Sequence, residues 1–199
     1  MLSFIQGEIE LDQLIADLDE SQKLITDNSS QIITNVTEAI SNEDCARLVG
    51  TVFAKAGNAD LALISVDKWF PENHGDGNKD GVSGQLFALP VTDLEITSIL
   101  PNGWNGNIEI YTLTGKRIKE LAKTGYNYQE EGWYYPYQLV TRDGFTIQDD
   151  TVYTVAICGA SDAVREEGNV QDTGILGLTA MEDYLRQFDT FSSKDIVWE

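Results

Sequence analysis

The 199 residues predict a mixed α/β (α+β) domain, a mixed β-sheet flanked by helices, and three observations lead there. Capped helical patterns alternate with short apolar runs, which is how helices packed on a sheet read in sequence. The chain is long enough for one sizeable core. Its hydrophobic fraction of 42% is that of an ordinary globular domain, so the core can be filled.

The elements follow in order. Residues 8–28 place Ile9, Leu11, Leu14, Ile15, Leu18, Leu24 and Ile25 near helical spacing. Residues 1–40 therefore read as a helical arm or interdomain segment, ahead of a globular domain over 41–199. At Ser41 a helix begins: Ser41 or Asn42 caps it, Glu43 and Asp44 suit its positive end, and Leu48, Val49, Val52 and Phe53 continue its apolar face. Gly57-Asn58 ends it, and Ala59 to Val66 is an apolar run suited to a buried strand. Residues 71–85 form a polar, glycine-rich insertion. A short helix is expected from Val91 to Leu100, capped by Thr92, with Asp93 and Glu95 in its first turn and Pro101 closing it. Ile108 to Leu113 reads as a strand that passes through Thr114-Gly115 into a basic helix, Lys116 to Lys123. Tyr126 to Tyr137 reads as an aromatic loop, and Tyr153 to Ile157 as a strand followed by an irregular stretch. A last helix is expected over Ala180 to Phe188 and a terminal strand over Asp195 to Trp198.

Charge and composition narrow the function. With 13 basic and 33 acidic residues the net charge is −20, and no Lys/Arg cluster is present to displace counterions from nucleic acid. Anionic membrane surfaces repel such a chain. The acidity reads as a solubilising surface or as a collector of divalent cations. No apolar run approaches the ~20 residues of a bilayer span. Met1 to Ile5 is apolar without the basic region of a signal peptide, so the chain is expected to be a piece of a longer protein. Cys45 and Cys158 lie far apart without metal-type spacing; two buried thiols or one disulfide both fit.

The single histidine, His74, excludes most. A dinuclear phosphatase centre needs several His, Asp and Asn ligands, and one imidazole cannot supply them. A Ser-His-Asp or Cys-His arrangement would have to use that same residue. No glycine-rich phosphate cradle of a standard form appears. The chain is not expected to be a hydrolase by itself.

Several segments, taken in order, resemble one family. Asn58-Ala59-Asp60-Leu61-Ala62-Leu63-Ile64 after the first helix, Leu100-Pro101, Thr112-Leu113-Thr114-Gly115, Tyr153-Thr154-Val155-Ala156 and Met181-Glu182-Asp183-Tyr184-Leu185 are similar to the C-terminal, substrate-specificity domain of the metal-dependent 5'-nucleotidase (UDP-sugar hydrolase) family. The resemblance covers roughly residues 41–198. It implies a nucleotide- or nucleoside-recognition domain of a 5'-nucleotidase-like phosphohydrolase in nucleotide catabolism, not catalytic in isolation. It also implies a dinuclear divalent metal centre in an N-terminal metallophosphatase domain that this chain lacks, no cofactor in the domain itself, and an extracellular or cell-surface location. The alternative is a non-catalytic structural or interaction module that keeps the fold without binding nucleotide.

The binding residues follow from the same resemblance, with departures. The family's Phe-x-Asn after Leu-Pro has its nearest counterpart in Trp104 with Asn105, in a loop longer by about two residues that also carries Asn102. An aromatic face would stack the base and an amide would read its edge; equally, Trp104 could pack over its own loop. The family's Asn-x-Gly-x-x-Arg after the Ile64 strand is replaced by Ser65-Val66-Asp67-Lys68-Trp69-Phe70, which leaves Lys68 as a displaced anion contact. The family's Gly-Gly-Asp-Gly-aromatic loop is replaced by Arg165-Glu166-Glu167-Gly168-Asn169-Val170, whose acids oppose an anionic ligand.

One constellation lies outside the family pattern. Asp76, Asn78 and Asp80 alternate ahead of Gly81, as in the first half of an EF-hand calcium loop, but the twelfth position is Phe87 rather than Glu. Calcium and a metal-free Asp-Asn-Gly turn both fit this pattern.

Overall fold

Residues 31–66, 81–82, 84–99, 106–124, 126–128, 133–135, 137–158, 160, 162–167 and 170–198 are described by the computed structural model of this chain. The chain divides into two units, Met1–Ile32 and Ile33–Glu199. The second is described below; the helix expected within residues 8–28 lies outside the described residues. In chain order its elements are β1 (Thr34–Val36), α1 (Asn42–Gly57), β2 (Leu61–Ser65), β3 (Pro90–Val91), α2 (Asp93–Ile99), β4 (Asn107–Thr114), α3 (Gly115–Thr124), β5 (Tyr126–Tyr128), β6 (Trp133–Tyr135), β7 (Tyr137–Val140), β8 (Val152–Cys158), α4 (Asp162–Glu167), β9 (Val170–Leu176), α5 (Gly177–Leu185) and β10 (Thr190–Phe191).

α1 begins and ends where its sequence requires. The Ser41 hydroxyl accepts from the Asp44 amide at 3.1 Å, satisfying one orphan donor of the first turn. Asn58 takes the left-handed conformation at φ 50° and closes the helix with its own amide on Ala54 and Lys55 carbonyls. α2 uses a reciprocal cap: Thr92 Oγ1 accepts from the Leu94 amide, and the Glu95 carboxylate takes the Thr92 amide at 2.8 Å and its hydroxyl at 2.6 Å. β4 runs into α3 without a loop. Glycine is required there, since the Gly115 amide bonds the Thr151 carbonyl at 2.8 Å and a Cβ would strike the Gln148 carbonyl.

The main sheet has the order β7-β2-β8-β4-β9, and a smaller one the order β10-β1-β3. β2 and β8 are parallel, whereas β7, β4 and β9 are each antiparallel to their neighbours. β2 is buried at every residue, as an interior strand covered on both faces must be. Alternation along β4 divides the core in two: Ile108 and Ile110 face α1 and α5, and Tyr111 and Leu113 face Ile118 and Leu121 of α3. Both cysteines are buried and neither is in a disulfide; burial raises the Cys45 thiol to about 11.

Three stretches differ from the sequence expectation. The aromatic segment is strand, not loop: β5 and β6 pair with Tyr126 opposite Tyr135, and Tyr137 opens β7. Tyr and Trp favour strands, so the composition is compatible with this pairing. The irregular stretch after β8 contains α4 and β9. β9 is an edge strand with an almost wholly solvated residue pattern, so it lacks the apolar alternation that announces a strand. At the C-terminus the strand is β10, parallel to β1. Asp195 accepts from the Ser192 amide at 2.7 Å and hydroxyl at 2.8 Å, which turns Ser193–Asp195 into a 3-10 helix and prevents the strand expected over Asp195 to Trp198.

Candidate functional site

The sheet register gathers several chain segments at one end. Ile64 lies beside Cys158 and Ser65 beside Tyr137, so β2 and β8 end where β7 begins. Ile110 lies beside Ala156 and Asn107 beside Leu176, so β4 begins and β9 ends at the same side. The chain leaves β2 here toward Lys68, enters β4 here from Asn102, Trp104 and Asn105, and leaves β8 here toward α4. Those four candidate residues lie outside the described residues, as do Asp76, Asn78 and Asp80. In open sheets with parallel strands, ligands sit outside the carboxyl ends of those strands.

Below this end a polar network is built on β4. Glu109 and Tyr111 are two residues apart and therefore on one face. The Tyr111 hydroxyl donates to Glu109 Oε2 at 2.6 Å, and Arg165 Nη1 donates to Glu109 Oε1 at 3.1 Å. Arg165 Nε also donates to the Ala160 carbonyl at 3.3 Å. Burial, reinforced by the Glu109 bond, pushes the Tyr111 phenol well above the ordinary tyrosine range, so it remains a neutral donor. At the last residue of α4, Glu167 is gripped by Arg117 through Nε at 2.8 Å and Nη2 at 2.6 Å. This bidentate bond holds the guanidinium pKa above its ordinary value. α4 is thus tied down by ion pairs at Arg165 and at Glu167.

Chemically the network is a platform. Each described guanidinium here is engaged by a carboxylate, and Glu167, whose charge the sequence sets against an anionic ligand, is paired with Arg117, which also meets Glu120 at 3.5 Å. Among the described residues no group of three His, Cys, Asp or Glu side chains could hold a metal ion. The pairing of Glu109 with Arg165 spans 56 positions, and no local spacing signals it.

No protein-family profile and no curated protein sequence matches this chain. Solved structures do. The crystal structure of a 5'-nucleotidase precursor from Thermus thermophilus aligns with a TM-score of 0.59 at 15% identity, over 88% of this chain and 40% of that one. The NAD nucleotidase of Haemophilus influenzae aligns with 0.53 at 14% identity, over 96% and 41%. The sulfate thiohydrolase SoxB of Thermus thermophilus aligns with 0.57 at 13%, over 91% and 37%. The chain spans about 40% of the length of these proteins, whose names denote different substrates. What they share with it is architecture: this chain has the fold of the C-terminal domain of 5'-nucleotidase-like proteins.

Proposed function

We propose that the chain is the nucleotide- or nucleoside-recognition domain of a 5'-nucleotidase-like phosphohydrolase, with hydrolysis carried by a metallophosphatase domain elsewhere in the polypeptide. The observation that supports this reading most is the shared sheet end: the segments bearing Trp104, Asn105, Asn102 and Lys68 are joined to the same side of the sheet as the exit of β8. A ring and an amide supplied from there suit a base, since stacking contributes ~1–3 kcal/mol and tolerates different bases. The same reading places the protein outside the cell or on its surface.

The test is an adenosine titration followed by tryptophan fluorescence. Trp104→Ala is expected to weaken binding about tenfold or more, the loss of one stacking face. Absence of quenching at millimolar adenosine, or equal affinity in the variant, would sink the reading. A specific observation favours a second one, a non-catalytic interaction module: Arg165 and Arg117, the arginines of the network built on β4 and α4, are bound to Glu109 and Glu167 rather than facing outward for a phosphate. Under that reading neither adenosine nor AMP binds.

A further inference from the structure

The opposite end of the sheet carries a different arrangement. β7 ends at Val140, and the turn that follows faces the C-terminal residues across a cavity of about 480 Å³. Arg142, Asp143, Gly144 and Phe145 form one wall, Val197 and Trp198 the other. That volume lies within the ~300–1,000 Å³ of small-molecule sites.

The turn is rigid. The Phe145 amide bonds the Arg142 carbonyl at 3.1 Å, and Gly144 supplies the φ of 72° that the turn requires. Tyr153 meets the Phe145 ring edge-on, with centroids 5.7 Å apart and planes at 68°. The Arg142 guanidinium lies 5.5 Å from the Phe145 centroid. The facing wall is also fixed: Lys55 Nζ donates to the Val197 carbonyl at 3.0 Å, and Trp198 packs against both halves of the core.

Charge makes this cleft unusual for the molecule. Arg47, Arg117, Arg165 and Arg186 each meet a carboxylate. Among the described residues Arg142 has no such partner, although the chain contains 33 acids. A guanidinium held on an aromatic face keeps its in-plane donors free, and that geometry matches a planar oxyanion. Asp143, exposed on the same turn, opposes a second negative charge.

We propose that this cleft is a binding site for a flat aromatic monocarboxylate, its ring lying against Trp198 and Phe145 and its carboxylate on Arg142. The site is independent of any recognition at the other sheet end.

The experiment titrates the isotope-labelled full chain with naphthoate and with the uncharged naphthamide, following amide and indole NMR shifts. Shifts are expected at residues 142–145 and at the Trp198 indole N–H, with naphthamide at least about tenfold weaker, the effect of losing a charge-assisted hydrogen bond. Arg142→Gln is expected to lower naphthoate affinity by a similar factor while the remaining spectrum is unchanged. The acid–amide comparison needs no variant, so it tests the proposal even if the substitution disturbs the turn. Equal affinity for acid and amide, naphthoate binding that survives Arg142→Gln, no shift at all, or shifts centred on the strand ends near Asn107 would each overturn it.

Discussion

Thr92 and Glu95 show how single residues decide a local boundary. The Glu95 carboxylate accepts two bonds from Thr92, and these hold its pKa below the ordinary glutamate value of 4.5. A carboxylate whose folded pKa lies below its unfolded one contributes stability above the unfolded value and loses it as pH falls through the folded one. Glu95→Gln is therefore expected to lower the Tm at neutral pH. The difference from the parent should shrink below pH 4.5 and vanish once the folded parent takes up the proton. Thermal melts across that range check this; a deficit that stays constant with pH would remove the carboxylate from the cap. The pair was legible as a helix start, because a Thr three residues before a Glu is a local pattern. Glu109, Tyr111 and Arg165 were not legible as a network, because their meeting depends on the pairing of distant elements.

Among the elements, α1 packs on the sheet at two glycines, Gly57 over Ile110 and Gly50 over Val140 and Ile64. A Cβ on Gly50 would come within 2.7 Å of Val140 Cγ2 and 3.0 Å of Ile64 Cγ1. Helix propensity alone favours alanine there by ~1 kcal/mol. Overpacking of ~1–3 kcal/mol opposes it and prevails, since both contacts are with buried side chains. Gly50→Ala is expected to destabilise the domain in denaturant melts, and Val140→Ala added to it to recover part of the loss. A more stable single variant would mean that the helix shifts freely. Helix and strand positions were readable wherever an apolar period met a cap, as in α1, β2, α2, β4 and α3. β9 was hidden because a solvated edge strand buries too little to leave a pattern.

At the scale of the whole molecule, charge and histidine count govern what the chain can do alone. With one histidine it cannot supply the several imidazole ligands of a His-rich dinuclear centre. The purified chain is expected to release no phosphate from AMP, with or without added divalent metal. Release that follows the protein through successive columns would overturn this and move catalysis into the domain. Self-repulsion of so acidic a surface is screened by salt, so such assays are best compared at one ionic strength.

The sequence by itself determined the helix caps, the buried strand β2, the strand-to-helix passage at Thr114-Gly115 and the single imidazole, because each is a matter of near neighbours or of composition. Only the tertiary structure decided the order of the strands, the common side at which β2, β8, β4 and β7 open, the capture of Glu167 by Arg117, and the facing of the Arg142–Phe145 turn by Trp198. Those depend on which segments separated by tens of residues come together, and that is set by how two apolar faces of one sheet are covered at once.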